Sequence, residues 1–134
     1  MSQIDLVDNV LAKHSIDPQA LGSSATVTGA SVDLFGYDSA MALFSAGAWT
    51  DGTHTITLED SSDNSSFSTV GAGSLQGSIT NITGTGQQNA VQQVGYIGSK
   101  RYLRAKVVSS GVTTGLAGFA ALIVKGNPKV YPAS

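Results

Sequence analysis

The stretch from Ala40 to Val70 constrains this chain most, because it reads as three successive β-strands joined by two turns of different character. The first turn centres on Asp51-Gly52, a pair suited to a two-residue type I′ hairpin, in which both central residues need positive φ. With that turn, Trp49 is expected to face His54, Gly47 to face Ile56, and Ser45 to face Leu58. The register gathers Met41, Leu43, Trp49, His54, Ile56 and Leu58 onto one apolar face. Ala42, Phe44, Ala46 and Ala48 then share the other, largely Ala/Thr face with Thr53, Thr55, Thr57 and Glu59. The second turn, from Asp60 to Ser65, is polar and rich in side chains that bond to their own backbone.

The same alternation recurs along the chain. Residues 26–28, 31–35, 75–83, 91–97, 101–108 and 116–125 read as strands, with Gly, Ser and Asn between them. In 101–108, Arg101, Leu103, Ala105 and Val107 fall on one face, and Tyr102, Arg104, Lys106 and Val108 on the other. Gly126-Asn127-Pro128 is expected to end the last strand, because proline donates no ladder hydrogen bond. Seven to nine short strands at this spacing predict an all-β protein, an antiparallel β-sandwich or jelly roll. Residues 1–24 lack the pattern. They read as an extended N-terminal arm with apolar pegs at Ile4, Val7, Val10, Leu11, Ile16 and Leu21, leaving 25–134 as the sandwich domain.

Composition narrows the function classes. Charged residues are only 12% of the 134, with a net charge of −2, so the clustered basic surface of a nucleic-acid binder is missing. There is no cysteine, which excludes disulfides and thiolate metal sites. Met1 to Asp8 contain acids and no basic n-region, which argues against a signal peptide. The longest apolar run, Leu116 to Val124, is too short for a membrane-spanning helix, so no membrane partner is expected.

Chemistry-bearing residues are few. Only His14 and His54 could serve as bases. His54 falls on the apolar face beside Trp49, where a packed, hydrogen-bonded role is expected. No hydrolase or zinc signature occurs, and neither Gly71-Ala-Gly73 nor Gly84-Thr-Gly86 precedes a predicted helix. Asp60, Asp63 and Asn64 could offer oxygens to a cation, but their spacing fits no EF-hand loop and equally suits a turn. No catalytic residue, cofactor or metal is therefore assigned. Lys100, Arg101 and Arg104 form the one concentrated positive patch, able to meet acids on a partner or on a neighbouring copy. Leu116 to Val124 is apolar on both faces, as a strand is when its second face is also covered. With the Ala/Thr face and the low charge, this points to an assembly component.

Several segments carry a resemblance. Gly36-Tyr37-Asp38-Ser39-Ala40, the run from Thr50 to Phe67, Tyr96-Ile-Gly-Ser-Lys-Arg-Tyr-Leu-Arg104 and Gly126-Asn127-Pro128 resemble small proteins of tailed-bacteriophage head modules, some of them capsid decoration (cement) proteins. The resemblance implies a β-sandwich homotrimer on the outer surface of the capsid, assembled in the host cytoplasm and bound to the major capsid protein. It also implies the arm, through Ile4, Val7, Val10 and Leu11, as the clasp onto the shell. The alternatives are a tail or head–tail connector component, or a carbohydrate- or cell-surface-binding sandwich with Trp49 or the tyrosines exposed on one platform.

Overall fold

A computed structural model describes residues 6–129. Ten strands, β1 (Val10–Leu21), β2 (Thr26–Thr28), β3 (Val32–Asp33), β4 (Tyr37–Ala46), β5 (Thr53–Ser61), β6 (Ser68–Thr69), β7 (Leu75–Gln76), β8 (Ala90–Tyr96), β9 (Tyr102–Ser110) and β10 (Leu116–Pro128), form two antiparallel sheets. The first sheet has the order β1-β10-β4-β8-β7. The second has the order β2-β9-β5-β6, with β3 also paired to β9. The expected all-β sandwich is what the chain forms.

Alternation builds the core between the sheets. His54, Ile56 and Leu58 of β5 and Leu103, Ala105 and Val107 of β9 point inward, as their period of two predicts. Phe119, Ala121 and Ile123 of β10 meet them from the other sheet. Phe44 and Phe119 stack with centroids 6.4 Å apart.

The Asp51-Gly52 hairpin is corrected. β4 pairs with β10 and β8, while β5 pairs with β9 and β6, so Asp51-Gly52 joins the two sheets instead of turning within one. Of the pair only Gly52 has positive φ, +90°, whereas a type I′ turn needs it at both residues. The competing interaction is visible: Gly47 and Thr50 donate to the carbonyls of Gly118 and Gly115, and Ala117 donates to Ala48. Residues 47–50 thus follow the start of β10 and cannot fold back along β5.

The correction inverts the faces of β4. Ala42 and Phe44 are buried in the core, whereas Met41 and Leu43 lie half-buried on the outside of the sheet. The β5 half of the expected apolar face is right. Two further expectations change. β10 continues to Pro128, which pairs with Tyr37 as the last residue of its ladder, where a missing donor costs little. Of 75–83, only Leu75–Gln76 is strand; Ile82 instead exchanges backbone hydrogen bonds with His54 and plugs the core.

The arm is also corrected. Val10–Leu21 pairs with β10 as an edge strand, and Ile16 and Leu21 are core residues of the same body. The register slips at Ser15, a bulge whose side chain crosses to the other sheet. Its hydroxyl donates to the Ala30 carbonyl at 2.8 Å and accepts from the Ala105 amide at 2.9 Å, serving a β9 donor in the gap between β2 and β3.

Phe44→Ala should cost about 3–5 kcal/mol in urea denaturation and Leu43→Ala less than about 2 kcal/mol, because only the former empties a core site. The reverse order would restore the hairpin faces.

Candidate interaction surface

The two outer faces differ in chemistry. On the β2-β9-β5-β6 sheet, Thr53, Thr55, Thr57 and Glu59 of β5 lie beside Arg104 and Lys106 of β9, a polar and charged face. The other sheet presents two cross-strand rows with apolar centres, Ala12–Val124–Met41–Gly95 and His14–Leu122–Leu43–Gln93, the second ending in polar side chains, with His14 3.8 Å from Asp17. Beyond them lie the rows Val10–Gly126–Ser39 and Ala120–Ser45–Val91. None of these positions holds Asp, Glu, Lys or Arg. Val91 is 66% exposed on this face. A hollow of about 380 Å³ opens on it between Val10, Met41, Gly95, Val124 and Gly126. The two-sided apolar character of Leu116–Val124 is thereby explained: Phe119, Ala121 and Ile123 enter the core, while Leu122 and Val124 lie on the outer face.

The residues expected to touch partners fall in different places. Ile4 lies outside the described residues. Val7 is 78% exposed ahead of β1. Val10 lines the hollow, and Leu11, opposite Lys125, is half-buried on the reverse side of the strand. The basic patch is engaged within its own chain. Arg101 makes a fork to Asp33, Nε to Oδ1 at 2.8 Å and Nη2 to Oδ2 at 2.7 Å, and its guanidinium lies 4.9 Å from the ring centre of Phe35. Arg104 donates to Glu59 at 2.8 Å and covers Phe67 at 3.8 Å. Lys100 lies 3.8 Å from Asp60.

These pairs set the local electrostatics. The Arg101 hydrogen bond holds the Asp33 carboxyl below its ordinary range against a modest desolvation, and Asp33 in turn raises Arg101. Burial, then the hydrogen bond to Asp60 at 2.7 Å, pushes the Tyr96 hydroxyl up to about 12. Burial and nearby Lys13 pull the Lys125 ammonium down; it donates to the Asp33 carbonyl and lies 4.6 Å from the Tyr37 ring centre.

Residues singled out for chemistry have structural partners. His54 is fully buried, with Nδ1 2.8 Å from Ser109 Oγ and Nε2 3.2 Å from the Asp51 carbonyl, as its apolar setting predicted. Trp49, half-buried, packs against the core and donates its indole N–H to the Gly52 carbonyl at 3.0 Å. In the acidic loop, Asp63 accepts from the Ser66 and Ser65 amides and the Ser61 hydroxyl, which lower its carboxyl to about 2. That is the turn chemistry its composition suggests.

Asp51 is the site sequence reasoning undervalued. Desolvation raises its carboxyl, but the amides of Gly115, Thr114 and Thr113 outweigh it and leave the group lowered. The shortest of these bonds, from Gly115, is 2.7 Å. One side chain on the β4–β5 crossing therefore holds the β9–β10 crossing.

The class defined by this arrangement is an antiparallel β-sandwich with one charged and one charge-free outer face. Among solved structures, the PBSX exported protein XepA matches with a TM-score of 0.61 and 17% identity, over 97% of this chain and 41% of XepA. The chain thus spans about two-fifths of that protein, and the likeness is one of fold. The infectious bursal disease virus Gx strain structure matches at a TM-score of 0.43 and 13% identity, over 92% of this chain and 35% of that one, too distant to add to it. No family model and no curated protein matches the chain.

Acid should expose the Asp63 turn. Its carboxyl is lowered from 3.8 to about 2, so its contribution is complete above the ordinary value and lost as pH falls toward 2. Asp63→Ala should lower the melting temperature at about pH 6 and converge with the parent chain near about pH 2. A gap constant across that range would contradict the assignment.

Proposed function

We propose that the chain is a virion structural protein of a tailed bacteriophage, a decoration protein that binds the major capsid protein lattice from outside and stabilises the assembled head. The observation that carries this reading is the charge-free outer sheet face on a body whose basic patch is engaged in internal pairs. Such a body offers complementary surface in place of reactive groups, and charge is depleted where protein interfaces have their cores. The head-module resemblance supplies the setting and the order of assembly, three copies on the outer surface of the head. The fold shared with the PBSX exported protein XepA is compatible with it. Binding only the assembled lattice would stabilise the head by mass action. The role needs no reaction, cofactor, nucleic acid or membrane. Among the described residues no helix is long and apolar enough to cross a membrane.

The test is light scattering of the purified chain combined with co-sedimentation on empty heads of the phage that carries the gene. Self-association and saturable binding to heads are expected. A strictly monomeric chain with no affinity for heads would overturn the reading.

A further inference from the structure

The peptide bond between Asp17 and Pro18 lies in a bulge of β1 that is open to water. Ile16 pairs with Ala121 and Gln19 with Phe119, so Asp17 and Pro18 together oppose the single residue Ala120. Both are exposed, the Asp17 side chain by 86%. Their flanks are fixed: Ile16 and Leu21 are core residues, and the Ser15 hydroxyl bonds to the other sheet. Bulges of this kind re-aim side chains and are common beside reactive sites. Two side chains converge on this peptide. Gln19 donates from Nε2 to the Asp17 main-chain carbonyl oxygen at 3.2 Å. His14 Nδ1 stands 3.8 Å from Oδ1 of the Asp17 carboxylate. The facing stretch of β10, residues 119–122, brings no charged side chain.

We propose that Asp17-Pro18 is a self-cleavage site, with the Asp17 carboxylate as nucleophile, Gln19 as the donor to the scissile carbonyl and His14 as the proton carrier. The carboxylate and the carbonyl carbon it attacks belong to one residue, so closure of the five-membered ring has the rate advantage of proximity. An Oδ atom of Asp17 adds to the Asp17 main-chain carbonyl carbon, and the charge that develops on the carbonyl oxygen meets the Gln19 N–H already aimed at it. The C–N bond to Pro18 then breaks. Its electron pair stays on the proline nitrogen, which takes a proton from the His14 imidazolium through one water, leaving a cyclic anhydride at Asp17. Proline suits the leaving side, because its nitrogen is a tertiary amide, more basic than an ordinary peptide nitrogen and with no N–H tied to a ladder. Water opens the anhydride to the two carboxylates of a chain ending in Asp17. Of the two protons released, one returns to His14 and the other converts the Pro18 amine to its ammonium form. The balance is one water consumed and one peptide bond lost. The cut changes the edge of the sheet: residues 10–16 then stay in place only through the ladder to β10, the Ser15 bonds and the burial of Ile16.

Cleavage is independent of the decoration reading, and its test needs no capsid. The purified 134-residue chain is held at about pH 6, where histidine both gives and takes a proton, and followed by intact-mass spectrometry. Two pieces should accumulate, one ending at Asp17 and one beginning at Pro18. The same chain unfolded in urea should form them at least about tenfold more slowly, because Gln19 and His14 no longer converge on the bond. Asp17→Ala and Pro18→Ala should form none. Gln19→Ala and His14→Ala, both at exposed positions, should keep the parent's far-UV circular dichroism and cut at least about tenfold more slowly. An uncut parent chain, cutting without Asp17, or a folded Gln19→Ala or His14→Ala chain that cuts at the parent's rate would overturn the proposal. Pieces formed as fast in urea would overturn it too, since they would report only the ordinary acid lability of an Asp-Pro bond.

Discussion

The Asp51 carboxylate holds together the two places where the chain changes sheet side by side. The β4–β5 connection leaves the first sheet for the second, and the β9–β10 connection returns. Asp51 sits in the former and accepts three consecutive amides of the latter, from Thr113 to Gly115. Those amides belong to a loop and have no ladder to serve, so an acceptor reaching them from the neighbouring crossing satisfies donors and fixes the corner together. Gly115 permits the approach: its φ is +83°, and a Cβ there would run into the Leu21 carbonyl of β1. Around the clamp, the Trp49 indole is tied to Gly52 and the His54 ring to the Asp51 carbonyl. Ser15 does similar work from β1, spanning the sheets with one hydroxyl.

The surface follows from this corner. Because residues 47–50 run beside the start of β10, β4 becomes the central strand of the first sheet with Ala42 and Phe44 inward. Met41 and Leu43 are then obliged to face out, next to Val124 and Leu122 of β10. The apolar outer face is a consequence of where the chain crosses. Lys100, Arg101 and Arg104 instead enter pairs with Asp60, Asp33 and Glu59 on and around β9. One side of the sandwich carries charged pairs, and the other carries the outward apolar side chains of β4 and β10.

Much of this was legible in the sequence wherever a strand's own alternation decides its faces. β5 and β9 were readable from period two, and β10 was readable as apolar on both sides. β4 was misread because local pattern ranks Met41 and Leu43 above Ala42 as core residues. Pairing partners far along the chain decide otherwise, since small alanines leave room for the stacked Phe44 and Phe119. The arm was misread for a similar reason. A bulged, polar edge strand with Pro18 shows no clean alternation, and only its ladder with β10 reveals Ile16 and Leu21 as core. The ion pairs were invisible because they join residues 68 and 45 positions apart, brought together by the β3–β9 and β5–β9 registers. The Asp51-Gly52 signal was real as a turn, but nothing local says whether a turn stays within its sheet.

The most direct test of the account is a pair of engineered disulfides, which the cysteine-free chain makes unambiguous. Ala46 and Ala90 are cross-strand partners on β4 and β8, whereas a hairpin at Asp51-Gly52 would place Ala46 opposite Thr57. The double variant Ala46→Cys with Ala90→Cys should oxidise to an intramolecular disulfide under native conditions, and Ala46→Cys with Thr57→Cys should keep free thiols. Closure of the second pair and not the first would contradict the sheet-crossing corner, and with it the outward face of β4.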